Sequence, residues 1–198
     1  MASRARAFNT NQRFSVEELQ EELKREQRKR QYSSTTRNTI FVLVVVAAIA
    51  ILVATLWMPV LRIYGTSMTP TLAEGDLVLS LRGADFETGD VIAFYYENKL
   101  LVKRCIAGPG AWVDMDSEGN VYVNGEVIDE PYIEEKAYGD VTIQFPYQVP
   151  EGRFFVLGDH RATSADSRLT IIGCVAEEQI VGKIVFRVLP FSKFSAVE

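Results

Sequence analysis

Two side chains in this sequence could together make a nucleophile: Ser67, in a short loop led by Gly65, and Lys103, at the end of an apolar run. A serine hydroxyl attacks poorly unless a neighbouring base takes its proton. Histidine is the usual base, and the chain has one, His160. Lysine can do the same work only when neutral. Its ordinary pKa of about 10.4 must then fall by a few units through burial, at about 1.4 kcal/mol per unit. Lys103 follows Leu100-Leu101-Val102 and so enters a strand expected to be buried. Strand alternation sets Lys103 on the face of Leu101 and Cys105 and turns Arg104 the other way. The chain thus offers one lysine that burial could neutralise and a neighbouring arginine that need not be desolvated. Cys105 and Cys174 are the only cysteines and lack the spacing of a metal site. They read either as a disulfide pair or as two small buried apolar residues.

The elements that must position these groups differ along the chain. Residues 1–37 carry nine Lys or Arg against five Glu, a net +4, while the whole 198-residue chain is −5, which leaves −9 for residues 38–198. A basic tail and an acidic body predict two different surroundings, and the acidic body argues against nucleic acid as a partner. Between them, Ile40 to Val60 is uncharged, with only Thr55 and Pro59 not plainly apolar. About 20 such residues cross a bilayer. The run is longer than the apolar part of a cleavable export signal, and Trp57 sits near its end as an interface anchor would. The basic flank precedes the span, which predicts a cytoplasmic N-terminus and an extracytoplasmic body. Residues 1–14 predict disorder. Ser15-Val16-Glu17-Glu18 reads as a capping box opening a solvated or membrane-surface helix to about Gln31, with Glu21–Arg25 and Glu26–Arg30 as supporting pairs. Tyr32–Asn38 reads as a polar linker.

After the span the texture becomes short β-runs punctuated by Gly and Pro. Val91–Tyr96 and Leu100–Val102 predict a hairpin about Glu97-Asn98-Lys99, and Asn124-Gly125 predicts another between Val121–Val123 and Glu126–Ile128. Arg153–Leu157, Ile171–Ala176 and Ile180–Val188 complete the expected strands. The pattern argues for a mainly β body, a barrel or folded sheet, with 47% hydrophobic residues over the whole chain to supply a core. The expected organisation is a basic tail with a short helix over 1–38, an anchor over 39–60 and a β-domain over 61–198.

Four segments carry a resemblance. They are Gly65-Thr66-Ser67-Met68-Thr69-Pro70-Thr71-Leu72, Gly89-Asp90-Val91-Ile92-Ala93-Phe94, Lys103-Arg104-Cys105-Ile106-Ala107-Gly108-Pro109-Gly110, and Gly158-Asp159-His160-Arg161-Ala162-Thr163-Ser164-Ala165-Asp166-Ser167-Arg168. In this order after one apolar span they resemble the type I signal peptidases (leader peptidases), in the compact form of Gram-positive bacteria, over roughly residues 40–190. The resemblance implies a signal-peptidase-like folded β-sheet or barrel with one N-terminal transmembrane helix. It implies Ser67 as nucleophile and Lys103 as general base, with no metal and no cofactor. Ser164 resembles the serine that bonds and orients the lysine amine, and Asp166 with Arg168 an ion pair that holds the loop. Asp159 and Arg161 are expected to shape the same turn. Some members carry a serine oxyanion donor two residues before the nucleophile; here that position is Gly65. His160 stands where many relatives have asparagine, and is read as a loop residue.

The implied reaction is removal of signal peptides with small residues one and three positions before the cut. Such a substrate would lie as an added strand along Ile63-Tyr64-Gly65 and Leu100-Leu101-Val102, with Met68 as pocket floor. The implied partners are preprotein signal peptides, the lipid bilayer and the export machinery. Rival readings are a Ser-Lys processing protease with a dedicated client such as a pilus precursor, a self-cleaving regulator, and a non-catalytic anchored β-domain that binds exported chains.

Overall fold

The computed structural model describes residues 16–197. The expected disorder of residues 1–14 and the capping role of Ser15 lie outside the described residues. A helical unit extends to Leu52, and a β unit begins at Val53.

Helix α1 is continuous over Val16–Trp57. No Gly or Pro interrupts it, so Tyr32–Asn38 is helix and not the expected linker. Serines and threonines lower helix propensity without breaking it. Arg25 pairs with Glu22 at 3.8 Å, rather than with Glu21. The expected partner of Glu26, Arg30, has its side chain outside those described. Thr35–Trp57 is the apolar segment, 23 residues with a mean hydropathy of 3.0 in its most apolar stretch. At 1.5 Å per residue it is about 34 Å long, enough for a hydrocarbon layer of about 30 Å. The helix stops at Trp57 because Pro59 disfavours helical backbone at Met58. Val60 therefore belongs to the first strand and not to the span.

The body is mainly β, as its texture predicts. One sheet contains β1 (Val60–Arg62), β2 (Leu77–Leu81), β3 (Val91–Tyr96), β4 (Lys99–Ala107), β9 (Arg153–Leu157), β10 (Val175–Ala176), β11 (Ile180–Leu189) and β12 (Ser195–Ala196). The other contains β5 (Trp112–Met115), β6 (Val121–Val123), β7 (Glu126–Val127) and β8 (Tyr147–Gln148). The large sheet runs β1-β2-β11-β3-β4-β9-β10, with β12 on β11. Both expected hairpins form, with Glu97 and Asn124 at positive φ, 50° and 53°. The expected strand Ile171–Ala176 shrinks to Val175–Ala176. A turn closed by the Gly173 N–H donating to Leu169 O, 2.8 Å, occupies the rest.

Two features of this sheet matter for function. Each step from β1 through β2, β11 and β3 to β4 is antiparallel, so β1 and β4 run the same way. β9 pairs with β4 only from Arg104 onward, so Lys99–Lys103 has β3 on one side and a free edge on the other. β1 is a terminal strand of the sheet and so also has a free edge.

The interior of the body is not wholly apolar. Val78, Val91, Ala93 and Ile184 pack with Met68 and Leu72 in one cluster, and Phe155, Leu157, Val113 and Val121 join the two sheets in another. Beside these lie three arginines, each 1% exposed or less. Arg104 grips Asp159 through Nε (3.0 Å) and Nη2 (2.8 Å), and its guanidinium lies 3.7 Å from the Tyr132 ring centre. Arg168 grips Asp166 through Nε (2.8 Å) and Nη2 (2.9 Å). Arg161 pairs with Glu130. Arg104 is thus buried as deeply as Lys103, contrary to its expected freedom from desolvation. It is tolerable there because a carboxylate neutralises it and its donors are satisfied.

Removing one member of such a pair strands a buried charge, which costs about 3–5 kcal/mol. Asp159→Ala is expected to lower stability by that amount in denaturant unfolding of the detergent-solubilised chain. The double change Asp159→Leu with Arg104→Met should recover most of the loss.

Candidate active site

The Ser67 loop leaves β1 and is held at both ends. Gly65 has φ 79°, a left-handed conformation that glycine adopts without strain. Beyond the serine, Met68 and Leu72 are buried, and the Leu72 N–H donates to Met68 O at 2.8 Å. These anchors leave the Ser67 side chain between the core and the surface.

Lys103 lies opposite Ile92 in the β3–β4 ladder and is 3% exposed. Its Nζ donates to Ser67 Oγ at 2.6 Å. Burial lowers its pKa from 10.5 to about 8. Among the charges, Asp166 opposes that fall, Arg168 adds to it and Asp159 opposes it. Because both carboxylates are tied to arginines, neither is free to lock the amine as a permanent ion pair. Roughly a tenth of Lys103 is therefore neutral at pH 7 and about half at pH 8, where a solvated lysine is almost wholly protonated.

The segment after β9 closes the site from the other side. The His160 N–H donates to Ser67 O at 3.1 Å, so the chain at 158–160 holds the serine's backbone. The approach is close. A Cβ on Gly158 would stand 2.5 Å from Ser67 O and 2.1 Å from Ser164 Oγ. Gly158 N–H donates to Asp166 Oδ2 at 3.1 Å, and its carbonyl accepts from Arg161 Nε at 3.2 Å. The requirement for glycine at 158 is one of close packing, which the sequence reading did not single out.

The other expected residues fall as follows. Ser164 is buried beside Gly158, but its Oγ has no hydrogen-bond partner among the described residues, so the expected bond to the amine is not formed. Asp166 pairs with Arg168, whose Nη2 also donates to Arg161 O at 2.8 Å. Asp159 accepts from Arg104 and from Thr71 Oγ1 at 2.5 Å, which ties the Ser67 loop to β4. The His160 ring is bonded to Thr163 (Nδ1 to Oγ1, 2.8 Å) and not to the serine hydroxyl. Cys105 and Cys174 are free thiols, both buried, in different core clusters. Burial pushes the Cys105 thiol up to about 12 and that of Cys174 to about 11, so both are packing residues. Arg161, expected to shape the turn, pairs with Glu130; Arg104, Glu130 and Tyr132 were not expected as supports. Glu130 and Tyr132 lie in a strap whose sequence carries no periodic signal.

Between the free edges of β1 and β4 runs a groove of about 510 Å³ that ends at Ser67 and Lys103. Ile63, Tyr64, Met68, Leu101 and Val102, all expected to meet substrate, line it; Gly65 does not. The Ser67 N–H pairs with no acceptor among the described residues, and so is available to a developing oxyanion. A neutral amine so placed can take the serine proton as the hydroxyl attacks.

The chain matches the family model described as signal peptidase, peptidase S26, over residues 36–189. It is 38% identical over 152 residues to Signal peptidase IB of Staphylococcus aureus (strain Mu50 / ATCC 700699), covering 67% of this chain and 78% of the relative. It is 34% identical over 162 residues to Signal peptidase I of Bacillus amyloliquefaciens, covering 75% and 83%. A crystal structure of a signal peptidase I from Enterococcus faecalis V583 is similar at 28% identity and a TM-score of 0.43, over 50% of this chain and 97% of that one. The family match spans both the apolar segment and the groove that ends at the serine and lysine, and by it this chain belongs to the signal peptidase family, peptidase S26.

Proposed function

We propose that this membrane-anchored peptidase removes signal peptides from exported preproteins with Ser67 as nucleophile and Lys103 as general base. The observation that carries the assignment is the 2.6 Å contact between a desolvated amine and the serine hydroxyl. Neutral Lys103 takes the Ser67 proton as Oγ attacks the scissile carbonyl, and the Ser67 N–H faces the resulting oxyanion. The ammonium then returns its proton to the departing amine, which leaves an acyl-enzyme. Water, deprotonated by the same lysine, releases the acyl group and restores Ser67. Gly65 has no hydroxyl to offer, so the second oxyanion donor is a backbone N–H.

The substrate lies as a strand between the edges of β1 and β4, with small residues one and three positions before the cut and Met68 as the floor of the pocket for the last of them. The basic residues before the span support a cytoplasmic N-terminus with residues 61–198 outside. The bilayer and the export machinery are the corresponding partners.

Ser67→Ala and Lys103→Ala should each abolish cleavage of a preprotein with a small-x-small site, while His160→Ala should retain most of it. Wild-type kcat/KM should rise with pH and level off above about 8, the value to which burial lowers Lys103. Cleavage surviving in Lys103→Ala but lost in His160→Ala would overturn the assignment.

The same shift has a stability sign. Between pH 8 and 10.5 the unfolded chain binds the lysine proton and the folded chain does not, so stability rises with pH across that window and the penalty is complete below it. Lys103→Met should therefore be more stable than wild type at pH 7, by up to about 3 kcal/mol. In chemical denaturation the difference should close as pH approaches 10.5.

Gly158→Ala must displace the Ser67 carbonyl. It should lower kcat by more than tenfold while the KM for peptide changes little, because the groove itself is untouched.

A further inference from the structure

Besides the reacting pair, the charged groups in the groove's largely apolar lining are two cations, Arg62 on β1 and Lys99 on β4. No carboxylate lines it. Both cations are exposed, and among the described residues neither forms a salt bridge. The guanidinium of Arg62 lies 5.8 Å from the Tyr64 ring centre. Two positive charges without a salt-bridge partner among the described residues thus line an apolar slot, one on each of the two edges between which a substrate strand would lie.

Their place along the slot follows from strand geometry. Lys99 is four residues before Lys103 on β4, about 13 Å at about 3.3 Å per residue. On the proposed reading the residues before the scissile bond occupy the groove, so the substrate's acyl side runs along it toward Ser67, in the direction shared by β1 and β4.

We propose that Arg62 and Lys99 act as a charge filter on the substrate residues about four to five positions before the scissile bond, favouring an acidic side chain there and disfavouring a basic one. This rests on the proposed peptidase reading and adds a specificity determinant to it. Surface ion pairs change an equilibrium by up to about fivefold each. Two cations acting on one side chain should then separate Glu from Lys at that position by about tenfold in kcat/KM. The preference is electrostatic, so it should shrink with ionic strength as the screening length falls from about 10 Å at 0.1 M toward 3 Å at 1 M.

The test uses the full chain in phosphatidylcholine vesicles, with and without an anionic lipid. The substrates are internally quenched peptides with one small-x-small site and Ala, Glu or Lys at the fourth or fifth position before it. The expected result is the order Glu, Ala, Lys, a ratio that falls with salt, and inversion of that order in Arg62→Glu/Lys99→Glu. The wild-type ratio and its salt dependence decide the matter even if the variant fails to fold. Equal rates for the three peptides in wild type overturn the filter, as does a variant that keeps the wild-type order. A variant altered only in its dependence on anionic lipid overturns it too, since the cations would then serve headgroups. Failure to cleave even the Ala peptide would instead strike at the peptidase reading.

Discussion

An amine proposed to act as a base near neutral pH has to be kept away from both water and free carboxylates, and the arrangement about Lys103 meets both conditions. Burial alone would lower the lysine's pKa, but two acids, Asp166 and Asp159, lie close enough to raise it again. Each is committed to an arginine, Arg168 and Arg104, by two hydrogen bonds. The buried ion pairs are thus part of the electrostatic setting of the amine as well as of the packing. Their cost is desolvation, which full pairing offsets and partial pairing would not.

The same network joins pieces of chain that are remote in sequence. Asp159 holds Arg104, next to Lys103, and Thr71, four residues beyond Ser67. The backbone at 158–160 holds the carbonyl of Ser67. Glu130 and the carbonyl of Tyr138 reach in from the strap to Arg161 and Arg168. A serine loop, a strand and two connecting segments thereby converge within hydrogen-bond range. The sheet adds the groove, because β9 abandons the edge of β4 just before Lys103 and leaves that edge unpaired opposite β1. Unpaired strand edges are a hazard in soluble proteins; here two of them flank the slot in which a peptide is proposed to bind.

Much of the architecture was readable because it rests on local signals. The apolar run showed the helix that can span, Asn124-Gly125 showed a hairpin, and the punctuation of short β-runs showed a mainly β body. Errors arose where a local signal was ambiguous. Tyr32–Asn38 is polar but carries no helix breaker, so it stays helical. Ile171–Ala176 is apolar enough for a strand, yet Gly173 turns the chain. Arg104 was read as a side chain free to face solvent, because alternation gives its direction but not what lies there.

The sequence by itself determined the family resemblance, the candidate serine and lysine, the span and the class of fold, since residue identity, order and periodicity are one-dimensional quantities. Only the tertiary structure decided that Lys103 meets Ser67 at 2.6 Å, that Arg161 finds its acid in Glu130, and that Gly158 is glycine for want of space. Those facts depend on distances between segments tens of residues apart. Such distances are set by strand order, register and packing, none of which leaves a mark in the spacing of letters along the chain.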